Sequence, residues 1–253
     1  MAVDAPFIEA FKLVGEMHAK LRNAWNDLTG AVNYVLGQLP GFLGGPIRSA
    51  YDALAQKVSE ALDKVAHFYQ NPGDPSGVRT AGEEWTFQVG AKASNQAGLV
   101  AKEKLNGYKG WTGEAGDGYS AAITLQGKAL AQLKTMTDAL QSTLNEIASA
   151  ISTFWVGFGI AICSYVAAMV SCIVGAATVV GAPAALATAL VATGAFITAV
   201  FTLTNNWTNT LNEKKGKLEQ QATVGAPFTN GTWPLSTSHS AAKHGADGAW
   251  SPS

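Results

Sequence analysis

The chain has 253 residues, 47% of them hydrophobic and 14% charged, against roughly 25% charged in an average globular domain. Its 17 basic and 18 acidic side chains leave a formal net charge of −1, so no overall field draws it to nucleic acid. The opening MAVDAPFIEAFKLVGEM carries Asp4, Glu9, Lys12 and Glu16 where a secretory signal needs a basic start and an unbroken apolar run, so no ordinary export signal is expected.

From Phe7 the apolar positions Phe11, Val14, Leu21, Trp25, Leu28, Val32 and Val35 recur at threes and fours, with His18 in register. That spacing predicts one long helix, and His18 on its packing face reads as a core histidine with a hydrogen-bond partner. GQLPGFLGGP (37–46) breaks the pattern, and Pro46 is placed to open the next helix. Ile47, Tyr51, Leu54, Val58, Leu62, Val65 and Phe68 then share a face. Residues 1–70 therefore read as an N-terminal helical hairpin.

QNPGDPSG (70–77) is a second breaker. A third helix follows, with Glu83 and Glu84 in its first turn and Trp85, Val89, Ala93, Ala97, Val100, Leu105 and Tyr108 on one side. Past NGYKGWTGEAGDGYSAA (106–122), a fourth helix carries Ala129, Leu133, Met136, Leu140, Leu144, Ile147 and Ile151. Residues 79–150 thus form a second hairpin. Two such hairpins predict an all-α, elongated four-helix bundle.

The character changes after Glu146, because no charged residue occurs until Glu213. Within 151–204 two apolar arms flank a turn at Gly181, Ala182 and Pro183, and each arm is long enough to cross a membrane, which takes about 20 residues. Trp155 near the start of the first arm and Trp207 past the end of the second suit a water–lipid boundary. Small residues four apart, such as Gly157 with Ala161, Ser171 with Gly175, and Ala185 with Ala189, let two helices approach closely. The same pattern also fits a long hairpin buried in a soluble core. Cys163 and Cys172 lie in the first arm, about 13.5 Å apart along a helix axis and on opposite faces, so they cannot pair and read as apolar fillers.

Residues 205–222 read as a short polar helix whose Lys214, Lys215 and Lys217 could touch anionic headgroups or simply face water. Residues 223–253, rich in Gly, Ser, Thr, Ala and Pro around Trp233 and Trp250, read as a flexible tail. The sequons at Asn206 and Asn230 carry meaning only in a eukaryotic secretory setting. Zinc-hydrolase, phosphate-loop and paired-cysteine motifs are missing, GEAGDG lacks the acidic spacing of a calcium loop, and His239 and His244 fall in the tail. The chain is expected to be no enzyme and to need no cofactor or metal.

Trp111 and Gly113 sit in the turn between the third and fourth helices. There, across about 79–151, the chain resembles the WXG family of helical-hairpin substrates of type VII secretion. The resemblance implies export without a cleaved signal, and hairpins that pair into four-helix bundles; the N-terminal hairpin would serve as a built-in partner, much as in a fused PE and PPE pair. The family's tyrosine followed four positions later by Asp or Glu has no counterpart at Tyr51, Tyr69, Tyr119 or Tyr165. An apolar hairpin on a helical bundle is also similar to helical pore-forming toxins. The expectation is a secreted, non-enzymatic protein, soluble and then membrane-associated, that inserts its hairpin and forms pores. Its partners would be a lipid membrane and further copies of itself or a helical partner protein. The alternative is an anchored or soluble oligomeric scaffold of the secretion system. Fold and function both hang on what covers the two arms.

Overall fold

The computed structural model describes residues 4–41, 44–101, 104, 113–223, 228 and 233. The chain is all-α: helices α1 (Ala5–Gln38), α2 (Gly45–Gln70) and α3 (Pro75–Trp85), a π-helical turn at Thr86–Gly90, then α4 (Ala91–Leu99), α5 (Glu114–Ala176) and α6 (Ala182–Thr223). No strand occurs among the described residues. Two compact units arise, Met1–Ser76 with Ala148–Leu211, and Gly77–Ile147 with Asn212–Ser253.

In the first unit, Asp4 caps α1 by accepting from the Phe7 amide at 3.3 Å, and Pro6 sits in the opening turn where its missing N–H costs nothing. The α1 face made of Ala10, Val14, Met17, Leu21, Ala24, Leu28, Val32 and Val35 is buried, as are Ile47, Leu54, Val58, Ala61 and Val65 of α2. Phe11, Trp25, Tyr51 and Phe68, expected in the same stripes, lie at their margins and are half-buried. There Trp25 stacks on Tyr51 with ring centroids 5.4 Å apart, and the Tyr51 hydroxyl meets Thr29 Oγ1 at 3.1 Å, which registers the two helices. His18 is half-buried, and burial followed by the Arg22 charge holds its pKa below the ordinary 6.5.

Within its unit this hairpin shares a core with the apolar pair of arms, and the whole is a helical bundle. Separate helices do not meet at 150/151 or 204/205. Ala148, Ser149 and Ala150 contain no breaker, so the expected fourth helix and first arm form one helix, α5. The second arm and the polar segment likewise run together as α6.

In the second unit, the expected third helix is divided. Thr86 Oγ1 donates to Gln141 Oε1 at 2.9 Å and lies 3.3 Å from the Thr137 carbonyl oxygen, tying the π-helical turn to α5. A Cβ on Gly90 would stand 2.2 Å from Thr137 Oγ1, so glycine is required where the two helices touch. Trp85, expected on the buried side, is exposed, and Phe87 beside it is more so.

Candidate membrane hairpin

Within the first unit, residues 148–176 of α5 and 182–211 of α6 form an antiparallel pair. The reversal between them depends on short approaches. A Cβ on Gly181 would meet the Gly175 carbonyl oxygen and Thr178 Oγ1 at 2.6 Å, and one on Gly175 would meet Ala185 Cβ at 3.2 Å. The Thr178 hydroxyl accepts from the Gly181 amide at 3.0 Å, and Pro183, exposed, stands in the first turn of α6. Further along, Gly157 faces Leu203, whose Cδ2 is 2.8 Å from where a Cβ would stand. Of the small residues read from the sequence, Gly175 thus meets Ala185 across the arms, Gly157 meets Leu203, and Ser171 is exposed.

A buried polar tie joins the arms midway. The Tyr165 hydroxyl and Thr193 Oγ1 are 2.9 Å apart, Thr193 Oγ1 also donates to the Ala189 carbonyl at 2.7 Å, and Tyr165 stacks on Phe196 at 4.8 Å. Satisfied in this way, the hydroxyls cost little to bury. Cys172 is buried and Cys163 half-buried, and both are free thiols.

Trp155 ties the base of the first arm to the segment after α2. It is 2% exposed, with its indole N–H donating to the Pro72 carbonyl at 2.8 Å. Phe7 and Phe11 approach it edge-on at 6.1 and 5.1 Å, Tyr69 stacks on Phe11 at 4.5 Å, and Phe68 packs on Phe154 and Phe158. Close by, the Ser152 hydroxyl donates to Asp4 Oδ2 at 2.8 Å. Together these groups latch the base of the first arm to both ends of the N-terminal hairpin. The signal was present as aromatic pairs at Phe7 and Phe11, Phe68 and Tyr69, and Phe154, Trp155 and Phe158. Trp207 is half-exposed.

The opposite face of the arms is uncovered and carries no charge. Ile160 is 64% exposed, Val174 79%, Val191 73% and Phe201 62%, with Val156 and Val170 beside them. Hydroxyls on this side bond their own helix: Ser164 to the Ile160 carbonyl, Thr188 to Ala184, Thr198 to Gly194 and Thr202 to Thr198, at 2.9 to 3.0 Å. The face thus presents few free polar groups. Between the arms runs a groove of about 650 Å³ lined by Gly157, Ala161, Ala168, Ala192, Ala195 and Ala199.

The second unit contains the charges that bracket the arms in sequence. Lys214, its side chain only 11% exposed, pairs with both Glu146 and Glu213, and Lys217 reaches Glu213 at 2.9 Å. The hydrogen bond from Lys214 holds the Glu146 carboxyl below its usual range, the hydrogen bonds from Lys217 and Lys214 do the same for Glu213, and Lys214 is raised in return. Gly113, at φ +83°, immediately precedes α5 and its carbonyl accepts from the Asp117 amide at 3.1 Å. That left-handed conformation suits glycine. Trp111 and nearly all of the 223–253 tail lie outside the described residues. No group of three or more His, Cys, Asp or Glu gathers among the described residues.

The fold and this face define a helical bundle with two helices long and apolar enough to cross a membrane. Only 39% and 33% of their most apolar windows are buried, well short of a helix enclosed in a core. Comparison with protein-family models, curated proteins and solved structures finds no match to the chain.

Proposed function

We propose that this chain is a non-enzymatic membrane-inserting protein that stores an apolar hairpin against its N-terminal hairpin and exchanges that packing for lipid on contact with a bilayer. The observation that carries this reading is the outward face of the arms, which exposes Ile160, Val174, Val191 and Phe201 within a stretch, 147–212, that has no charged residue. Exposed apolar patches of this kind mark membrane or protein partners. Hydroxyls bonded to their own helices suit the membrane, since backbone and side-chain polar groups in hydrocarbon must find partners internally. Two helices cannot enclose water, so a pore takes several copies in a ring. The WXG resemblance adds the proposal that the protein leaves its cell in soluble form by a type VII-like route.

The test is flotation with liposomes of the purified full chain, together with release of a trapped dye. Co-flotation with dye release is expected. Protein that stays monodisperse and unbound at every lipid concentration overturns the reading. The groove of small side chains between the arms favours a second reading, a scaffold that seats a helix of another protein there. A soluble partner complex in place of flotation would support it.

A further inference from the structure

The charges flanking the arms are joined to one another, and this has a consequence for how a hairpin would cross a bilayer. Glu146 is the last charged residue before the apolar stretch and Glu213 the first after it. Lys214 bonds both, and Lys217 adds a second cation on Glu213. The two chain segments that lead into the arms are thereby held side by side by a charged clasp. The arms beyond it are matched in length: 148–176 and 182–211 each rise about 44 to 45 Å at 1.5 Å per residue. A bilayer measures about 30 Å across its hydrocarbon and about 40–45 Å with its headgroups.

We infer that the clasp of Glu146, Lys214 and Glu213 keeps the arms paired during insertion and halts them at the near headgroups, with the turn at Thr178–Gly181 delivered to the far headgroup layer. This rests on the membrane reading above. Three observations converge on it. Charges stop where the uncharged stretch begins, and carrying them further means placing them in hydrocarbon. In lipid no hydrophobic force holds one arm to the other, which leaves the Tyr165–Thr193 bond, the small-residue contacts and the clasp to keep them together. The turn itself is prepared for a polar layer, since Thr178 is exposed and its Oγ1 caps the Gly181 amide. A hairpin lying within one leaflet would instead leave arms of this length with no depth to fill.

The experiment uses the full chain with Cys163→Ala and Cys172→Ala, and one new cysteine at a time, Ile160→Cys, Val180→Cys or Lys215→Cys. All three positions are exposed, and Lys215→Cys gives up only an exposed ion pair with Glu219 at 3.6 Å. Each carries an environment-sensitive fluorophore and is added to mixed phosphatidylcholine and phosphatidylglycerol vesicles with quencher either outside or trapped within. Expected are an apolar spectral shift at Ile160, quenching from the lumen at Val180, and quenching from outside at Lys215. Lys214→Ala should lose the lumenal quenching at Val180, and Lys214→Arg should restore it. A shifted Ile160 with Val180 quenched only from outside overturns the crossing while the membrane reading stands. Lumenal quenching that survives Lys214→Ala undiminished overturns the clasp. No shift at Ile160 removes the membrane reading and this inference with it.

Discussion

Ile160→Asp separates the face that meets water now from the face that would meet lipid later. Ile160 lies near the middle of its arm and is 64% exposed, so the folded protein surrounds it with water and loses little packing on its replacement. The cost in solution is a helix-propensity difference below about 0.7 kcal/mol. In a bilayer the account reverses. Isoleucine at the centre of a spanning helix is favourable by about 0.3–0.6 kcal/mol and aspartate unfavourable by about 2.5–3.5 kcal/mol, and its short stem cannot carry the charge back to the interface. The difference is about 3–4 kcal/mol, or on the order of a hundredfold to a thousandfold in partitioning, since about 1.4 kcal/mol corresponds to tenfold. Val180→Asp, at the turn, falls in the headgroup layer and should cost far less. Liposome flotation over a lipid titration measures the partitioning, and thermal unfolding followed by circular dichroism confirms the fold. Partitioning of Ile160→Asp equal to that of the unsubstituted chain, with both folded, would refute the reasoning.

Trp155→Phe keeps a ring in the aromatic latch but deletes the bond to the Pro72 carbonyl, so it should destabilise the first unit by about 1 kcal/mol and hasten dye release; stopped-flow leakage beside chemical denaturation reads both. Gly90→Ala places a methyl group against Thr137 Oγ1 and should lower the stability of the second unit despite alanine's better helix propensity, which thermal melts of the substituted protein will report. His18 has a depressed folded pKa, so the unfolded chain binds more protons as pH falls from about 6.5, and the contribution of this group to stability is lost through the folded value. The first unit should therefore weaken between pH 7.5 and 5.5, and His18→Gln should flatten that slope in melting curves. Glu146 and Glu213 are also depressed, so their stabilisation persists above the ordinary carboxylate range and is lost only as pH drops through their lower folded values. Lys214→Ala should accordingly leave the slope between pH 7.5 and 5.5 unchanged.

Spacing alone made the helices legible. Val14, Leu21, Leu28, Val32 and Val35 on one helix and Ile47, Leu54, Val58 and Val65 on the next are the residues that are buried, because threes and fours select one face of a helix whatever it packs against. What it packs against is a different kind of information. A stripe offers apolar width and length but does not name its partner. The breakpoints expected at 150/151 and 204/205 followed a change of composition, whereas a helix is interrupted by backbone chemistry, and neither site has a glycine or proline to do so. Composition did mark where packing changes hands, since the units divide at 147/148 and 211/212. The packing of Trp155 was not readable for a related reason. A tryptophan at the end of an apolar run suits an interface equally well as a core, and the Pro72 carbonyl that decides between them is distant in sequence.

Storage of the arms on the N-terminal hairpin also constrains how they can be released. The buried faces of α1 and α2 belong to the same unit as the arms, so departure of the arms would uncover an apolar strip along these two helices in water. Acyl chains cover the arms but not this strip unless α1 and α2 also enter the membrane, and their outer faces oppose that with Lys12, Glu16, Lys20, Arg22, Asp52, Lys57, Glu60 and Asp63. The strip must then find another amphipathic surface. A second released copy provides an identical one, and two such hairpins can close as a four-helix bundle. Insertion and assembly would on this account be coupled steps, with the same buried residues serving first the stored arms and then a neighbouring chain. Dye release should consequently rise more steeply than linearly with protein concentration at fixed lipid, and a strictly first-order dependence down to the lowest leak detected would show that single chains insert alone.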